Sequence, residues 1–239
     1  MISKNQIKFV HQLETKKYRQ REGLFVAEGP KVVGDLLNTG FIPSQIYSTE
    51  KWQHIGFESN IITEDELRKL SFLQHPQQVL AVFPIPHQHE PGKTTGLSLA
   101  LDGVQDPGNL GTIIRVADWF GIDTIYCSPD TADAWNPKVV QATMGSIARV
   151  HLIYTDLEKL ISSATLPVYA TLLDGNNIYQ QELSREGIIV MGNEGNGISA
   201  PIRQLVSRKL LIPAHREGAE SLNVAIATAI VCSEFKRRS

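Results

Sequence analysis

The sequence predicts an α/β protein in two parts, a small α/β domain followed by a larger one built on a mostly parallel sheet. Three observations carry this. Short apolar segments of strand length alternate with stretches of helical spacing, the pattern of buried strands covered on both faces by helices. Residues 84–96, PIPHQHEPGKTTG, pack three prolines and two glycines around one strongly apolar residue and read as a linker. The length, 239 residues with 42% hydrophobic and 20% charged, exceeds one average domain and suffices to bury a real core.

Upstream of the linker, helical spacing predicts a helix over Lys4 to Leu13, then strand-like LFVAEG, a helix from about Pro30 to Leu37, strand-like SQIYS, a short helix near Glu64 to Leu70, and VLAVF. Downstream, LSLALDGV, TIYCS, RVHLIY, LPVYATLL, GIIVMG and KLLIP read as strands with helices in the gaps. The expected division is residues 1–86, a linker at 87–96, and residues 97–239. Ligands in such sheets bind at the carboxyl ends of the strands, so the loops that follow strands are where chemistry is sought.

Composition excludes several classes. Lys and Arg number 23 against 25 Asp and Glu, a net charge of -2, so capture of polyanions by bulk positive charge is not expected. The charge is uneven, however: up to Arg21 there are six basic residues against Glu14 alone, and Lys236, Arg237 and Arg238 close the chain. This is a solvated helix face or a local grip on RNA. Two cysteines, Cys127 and Cys232, with no C-x-x-C, exclude a disulfide framework and a zinc module, and point to a reducing cytoplasm. No signal-peptide core and no apolar run of spanning length is present, so neither export nor membrane insertion is expected. No P-loop, G-x-S-x-G or H-E-x-x-H motif occurs, and His87 with His89 lacks a further ligand, so no metal is expected.

Three loops could carry chemistry. DGVQDPGNLGTIIR, residues 102–115, turns through Asp106-Pro107-Gly108-Asn109 into a helix, with Arg115 about one turn in; it is a phosphate or RNA contact, or a turn with a surface arginine. GNEGNG, residues 192–197, follows a strand; its order and the acid inside it are unlike the dinucleotide fingerprint, and it is a ligand loop or a plain strand-to-helix turn. IPAHREGAESLN, residues 212–223, runs into an Ala-rich helix for which Ser221 is the candidate N-cap, leaving Asn223 in a first turn without a packing role.

Together and in this order, Asn109-Leu110-Gly111 with Arg115, Gly192-Asn193-Glu194-Gly195, and Ile212-Pro213 with Ser221-Leu222-Asn223-Val224 resemble the three motifs of the SpoU/TrmH family of RNA ribose 2'-O-methyltransferases, in the SPOUT class. The resemblance covers Leu97 to Phe235, with Asn136-Pro137-Lys138-Val139-Val140 and Met144-Gly145-Ser146 between the first two motifs. KKYRQREGLFVAEGPKVV resembles the family's L30e-like substrate-binding domain.

The resemblance implies a C-terminal deep trefoil knot, a homodimer formed through the SPOUT domain, S-adenosyl-L-methionine as cofactor, and RNA as partner, ribosomal more than transfer. It implies a cofactor pocket of Leu172, Leu173, Gly192, Glu194, Ile212, Ser221 and Leu222, and a catalytic set of Arg115, Asn109, Glu194, Ser221 and Asn223. RNA contacts are expected at Lys16, Lys17, Arg19, Glu28 and Arg115. A tRNA 2'-O-methyltransferase, a base-methylating enzyme and a non-catalytic RNA-binding or ribosome-assembly factor on the same scaffold are the alternatives. The stretch SPDTADAW, residues 128–135, carries acids where relatives are more basic, which argues against RNA contact there.

Overall fold

The computed structural model describes residues 1–87, 96–216 and 221–238. Most of the linker, including His89, and residues 217–220 of the third loop lie outside the described residues. The chain divides into two units, one of residues 1–87 with 133–149, the other of residues 88–132 with 150–239.

The first unit opens with helices α1 (Lys4–Gln12) and α2 (Lys16–Glu22), followed by β1 (Leu24–Glu28), α3 (Pro30–Asn38), β2 (Gln45–Ser48), β3 (Asn60–Ile61), α4 (Glu64–Leu70) and β4 (Val79–Pro84). Ser3 and Thr63 start α1 and α4 with capping boxes completed by Gln6 and Glu66. The sheet runs β1-β4-β2-β3, with β4 antiparallel to both neighbours. One face packs Val26, Tyr47, Leu80 and Val82 on Val10, Leu13, Leu67 and Leu70 of the α1 and α4 region. On β1 the alternation sends Phe25 the other way, where its ring lies 5.6 Å from Phe83 and 4.5 Å from Trp135.

Helix α2 escapes the periodicity because KKYRQRE has no apolar stripe; its buried residue is Arg19, 1% exposed. Arg19 donates to the carbonyls of Leu13 and Glu14 at 2.8 and 2.6 Å and, through Nε at 3.1 Å and Nη2 at 2.5 Å, to Asp133. Arg19 is therefore a structural clamp, and the RNA contact expected of it is corrected: a guanidinium spent on carbonyls and a carboxylate has nothing to offer a phosphate. Glu28 is corrected likewise. It is buried beside α4, accepting from the Ser71 hydroxyl and from the Phe72 N–H at 2.9 Å. Burial pushes its carboxyl above the ordinary range, against the pull of Ser71 and Phe72. Lys16 and Lys17 remain exposed.

In the second unit the order is β5 (Leu97–Asp102), α5 (Pro107–Trp119) and β6 (Thr124–Cys127). The chain then supplies α6 (Pro137–Ala142) and a 3-10 turn, Ser146–Ala148, to the first unit. It returns with β7 (His151–Tyr154), α7 (Leu157–Ser162), β8 (Val168–Asn177), β9 (Gly187–Gly192), α8 (Ala200–Leu205), β10 (Arg208–Leu211) and α9 (Val224–Arg237). All pairings are parallel, in the order β10-β8-β9-β5-β6-β7. The α/β class and the parallel sheet expected from the alternation of strands and helices are what the structure has. Pairing of β10 with β8 jumps from Lys209↔Ala170 to Leu210↔Asn176, so residues 171–175 leave the ladder. Where they rejoin it the backbones nearly touch: a Cβ on Gly175 would lie 2.5 Å from the Leu210 carbonyl carbon.

Residues 133–149 were expected in the second part, because only one linker punctuates the sequence. Packing groups them with the first unit: α6 lies on β1, the 3-10 turn lies on α3, and Arg149 meets Asp35 at 3.1 Å. No helix among the described residues is long and apolar enough to cross a membrane.

The Arg19 clamp predicts that Asp133→Ala, which leaves a buried guanidinium without its counterion, destabilises the first unit by roughly 3 kcal/mol. Thermal unfolding of the variant, followed at Trp135, would read this; an unchanged midpoint would mean that the pair carries no stability.

Candidate active site

Strand order in the second unit reverses at β5. The chain moves from β5 to β6 and β7 on one side, then crosses to place β9 and β8 on the other. The crevice outside the carboxyl ends of β5 and β9 is where such sheets bind ligands. The loop after β5 carries the first motif and the loop after β9 the second.

Helix α5 begins at Pro107, with Asp106 as N-cap accepting from the Asn109 N–H at 2.8 Å. This start is earlier than the turn expected from the sequence, and it puts Arg115 about two turns into the helix rather than one. Arg115 is exposed and makes no hydrogen bond or ion pair among the described residues.

Glu194, in the β9 loop, accepts from the Asn109 side-chain amide at 3.0 Å and from the Gln105 and Asp106 N–H groups at 3.2 Å each. The Asn109 carbonyl oxygen accepts from the Asn223 amide at 2.8 Å. Asn223 in turn is the N-cap of α9, its Oδ1 accepting from the N–H groups of Ala225 and Ile226 at 3.0 and 3.2 Å. This corrects the third loop. Asn223, not Ser221, caps the helix, and its place at the helix start is explained. Asn is as good a cap as Ser, and only the geometry chooses between them. Ser221 is exposed and joins neither the cap nor the network among the described residues.

Burial works to raise the Glu194 carboxyl, but the Asn109 amide and the backbone donors outweigh it and hold the carboxyl below its ordinary range. The glycine before the loop is required by contact: a Cβ on Gly192 would lie 2.3 Å from the Gly197 carbonyl carbon, because Asn193 and Gly197 pair as a tight bridge. Asn193, quoted in the second motif but given no role there, donates to the Gly103 carbonyl at 2.7 Å and accepts from the Gly195 and Asn196 N–H groups at 2.9 Å. It thereby ties the β9 loop to β5; an Asn within a glycine-rich turn was the available signal.

Of the expected pocket residues, Leu173 and Leu222 keep 77% and 51% of their surface in solvent, while Leu172 and Ile212 are half-buried. Large apolar side chains left open, Leu173 where β8 departs from the ladder and Leu222 just before α9, suit an apolar ligand such as an adenine ring. Cys127 and Cys232 are buried, and burial pushes the Cys232 thiol up to about 12, so neither is an activated nucleophile.

Residues 96–233 match the SpoU rRNA Methylase family and residues 4–81 match the MRM3-like substrate binding domain. The chain is 33% identical to the 23S rRNA (guanosine(2553)-2'-O)-methyltransferase RlmP of Bacillus subtilis, over 96% of its own length and 95% of the relative's. Among solved structures, a TrmH-family protein from Porphyromonas gingivalis is 42% identical with TM-score 0.92, each chain covered in full. An AdoMet-bound rRNA methyltransferase from Sinorhizobium meliloti is 30% identical with TM-score 0.88, covering 100% of this chain and 96% of that one. With the three motifs joined at the ends of β5 and β9, and with relatives matched end to end, the chain belongs to the SpoU rRNA methylase family.

Proposed function

We propose that this protein transfers a methyl group from S-adenosyl-L-methionine to a ribose 2'-hydroxyl of ribosomal RNA. The observation that carries the reading is the hydrogen-bonded line from Glu194 through Asn109 to Asn223, which gathers all three motifs at the sheet's switch point. Ribosomal rather than transfer RNA is favoured because the Bacillus subtilis and Sinorhizobium meliloti relatives, each matched over nearly their full length, carry rRNA names.

When bound, the cofactor would supply an electrophilic methyl for in-line displacement, in which the ribose oxygen gains the methyl as its bond to sulfur breaks, the thioether S-adenosylhomocysteine leaves and the hydroxyl proton passes to water. The residues of the chain supply alignment and a dry site. Leu172, Leu173, Ile212 and Leu222 would hold the adenine, with Ser221 beside them, and Gly192 gives the β9 loop the room to turn back on Gly197. A guanidinium stays protonated at neutral pH, so Arg115 serves to hold the 2'-hydroxyl and its phosphate in line rather than to take a proton. Glu194, Asn109 and Asn223 hold the loops that present the ribose.

The first unit is read as an L30e-like RNA-binding domain, contacting RNA through Lys16 and Lys17. The jump in the β8–β10 ladder and the close approach at Gly175 support a deep knot in the second unit. The packed pair α5 and α9 leaves Trp119 and Ile226 exposed, which supports a homodimer through that face. A cytoplasmic location fits buried, reduced cysteines.

Arg115→Ala is expected to lower methyl incorporation into rRNA from cells lacking the gene about a hundredfold or more, with AdoMet affinity by calorimetry nearly unchanged. Full activity in that variant would overturn the assignment, and a wild-type protein without AdoMet affinity would favour the non-catalytic binder. Because the Glu194 pKa is lowered, the network is intact above the ordinary carboxylate range and is lost only as pH falls through the lowered folded value. A carbon-13 titration should place the Glu194 carboxyl midpoint below that of an unperturbed glutamate, and Asn109→Ala should move it upward.

RNA affinity should depend only modestly on salt. Arg237 and Arg238 are engaged by Glu234, with Arg238 also donating to backbone carbonyls, so the basic C-terminus expected to grip RNA is largely spent. The exposed lysines Lys4, Lys8, Lys16 and Lys17 have no ion pair among the described residues. Together with Arg115 at the target phosphate they predict a log–log salt slope of about -4, and a slope near -8 would contradict it.

A further inference from the structure

Helix α6 ends at its C-cap Thr143, and the next residue, Met144, has φ 52° with its N–H returned to the Gln141 carbonyl at 3.2 Å. This is the left-handed position that closes a helix, where glycine or asparagine is the comfortable residue and an unbranched apolar side chain is strained. Strain of this sort is ordinarily returned by packing. Met144 instead keeps 42% of its surface in solvent. Val139, Val140 and Thr143 bury the inner side of the same helix, which leaves Lys138 exposed and Gln141 half-exposed on the outer side, neither side chain having a partner among the described residues. An ammonium, an amide and a flexible thioether thus follow one another along an outward surface at positions 138, 141 and 144.

The segment that bears them is held to the first unit at three points. Asp133 is clamped by Arg19, the Trp135 ring lies against Phe25, and Arg149 meets Asp35. The surface is thereby fixed to the first unit. The clamp also neutralises the acid at Asp133, so the exposed charge of α6 is that of Lys138.

We propose that Lys138, Gln141 and Met144 form an RNA-contacting surface that reads unpaired nucleotides of the substrate, with the Met144 side chain against a base face, Gln141 on a base edge and Lys138 on the backbone. A thioether packs favourably against an aromatic ring, and unpaired RNA offers base faces to such a side chain, base edges to an amide and phosphates to a cation. The inference rests on the proposed function only in taking RNA as the partner.

Three variants separate contact from structure. Met144→Gly removes the side chain and relieves the left-handed backbone, so its melting temperature should hold or rise. Met144→Asn keeps a side chain that tolerates the same φ. Lys138→Ala removes one phosphate contact. Binding of total ribosomal RNA from cells lacking the gene, measured without cofactor, should weaken about tenfold in each Met144 variant, with an equal rise in KM for methylation, unchanged kcat and unchanged AdoMet affinity. Lys138→Ala should lower the salt slope by about one. Unchanged RNA affinity in both Met144 variants would overturn the proposal, as would a Met144→Gly protein that loses its oligomeric state in sedimentation, which would assign the surface to a second copy of the chain. Wild-type protein that binds RNA in this way but transfers no methyl would refute the activity while leaving the surface supported.

Discussion

A carboxylate can only accept hydrogen bonds and a backbone N–H can only donate them, and the candidate active site is strung between one of each. Glu194 accepts from Asn109, so the Asn109 amide must turn its NH2 toward the acid and its oxygen toward Asn223. The free N–H groups at the start of α9 demand an acceptor, so Asn223 must turn its own oxygen to them and its NH2 to Asn109. Direction is thus imposed from both ends, and one arrangement of the two amides satisfies every group. The partners stand 85 and 114 residues apart in sequence, so this single line of bonds fixes three loops relative to one another.

The sheet makes that line possible. Only because β9 inserts beside β5 do the loops after them share an edge, and the register Asp102↔Gly192 brings the two strand ends level. Asn193 then ties its loop to the Gly103 carbonyl, and Gly192 leaves room for the turn to fold back. Arg115 hangs outside this rigid frame, exposed along α5. A rigid acceptor frame with one unengaged cation beside it is what a reaction needs when its main demand on the protein is alignment.

In the first unit the organising group is a buried cation. Arg19 could not be left inside without an acid, and the acid comes from Asp133, 114 positions along the chain. Residues 133–149 therefore pack with a unit from which the sequence separates them. Counting Lys and Arg located a basic end to the protein but could not say which cations face solvent: Lys16 and Lys17 do, while Arg19, Arg237 and Arg238 are drawn into carbonyls and carboxylates.

Read alone, the amino-acid sequence determined every strand but the two-residue, exposed β3, together with the principal helices and the loops that would carry chemistry, because apolar periodicity and glycine or proline punctuation are local signals. LSLALDGV, TIYCS and GIIVMG became strands within a residue or two of their expected bounds, and the resemblance of three short motifs named the family. The KKYRQRE helix was missed because a helix anchored by one buried arginine has no apolar stripe to read. Ser221 was chosen over Asn223 as the cap because both residue types cap helices and the choice turns on where a distant Asn109 lies. Strand order, the partner of Arg19, the unit to which residues 133–149 belong and the line from Glu194 to Asn223 were decided only in the tertiary structure. Each depends on groups far apart in sequence meeting at hydrogen-bond distance, and no local pattern of residues encodes that distance.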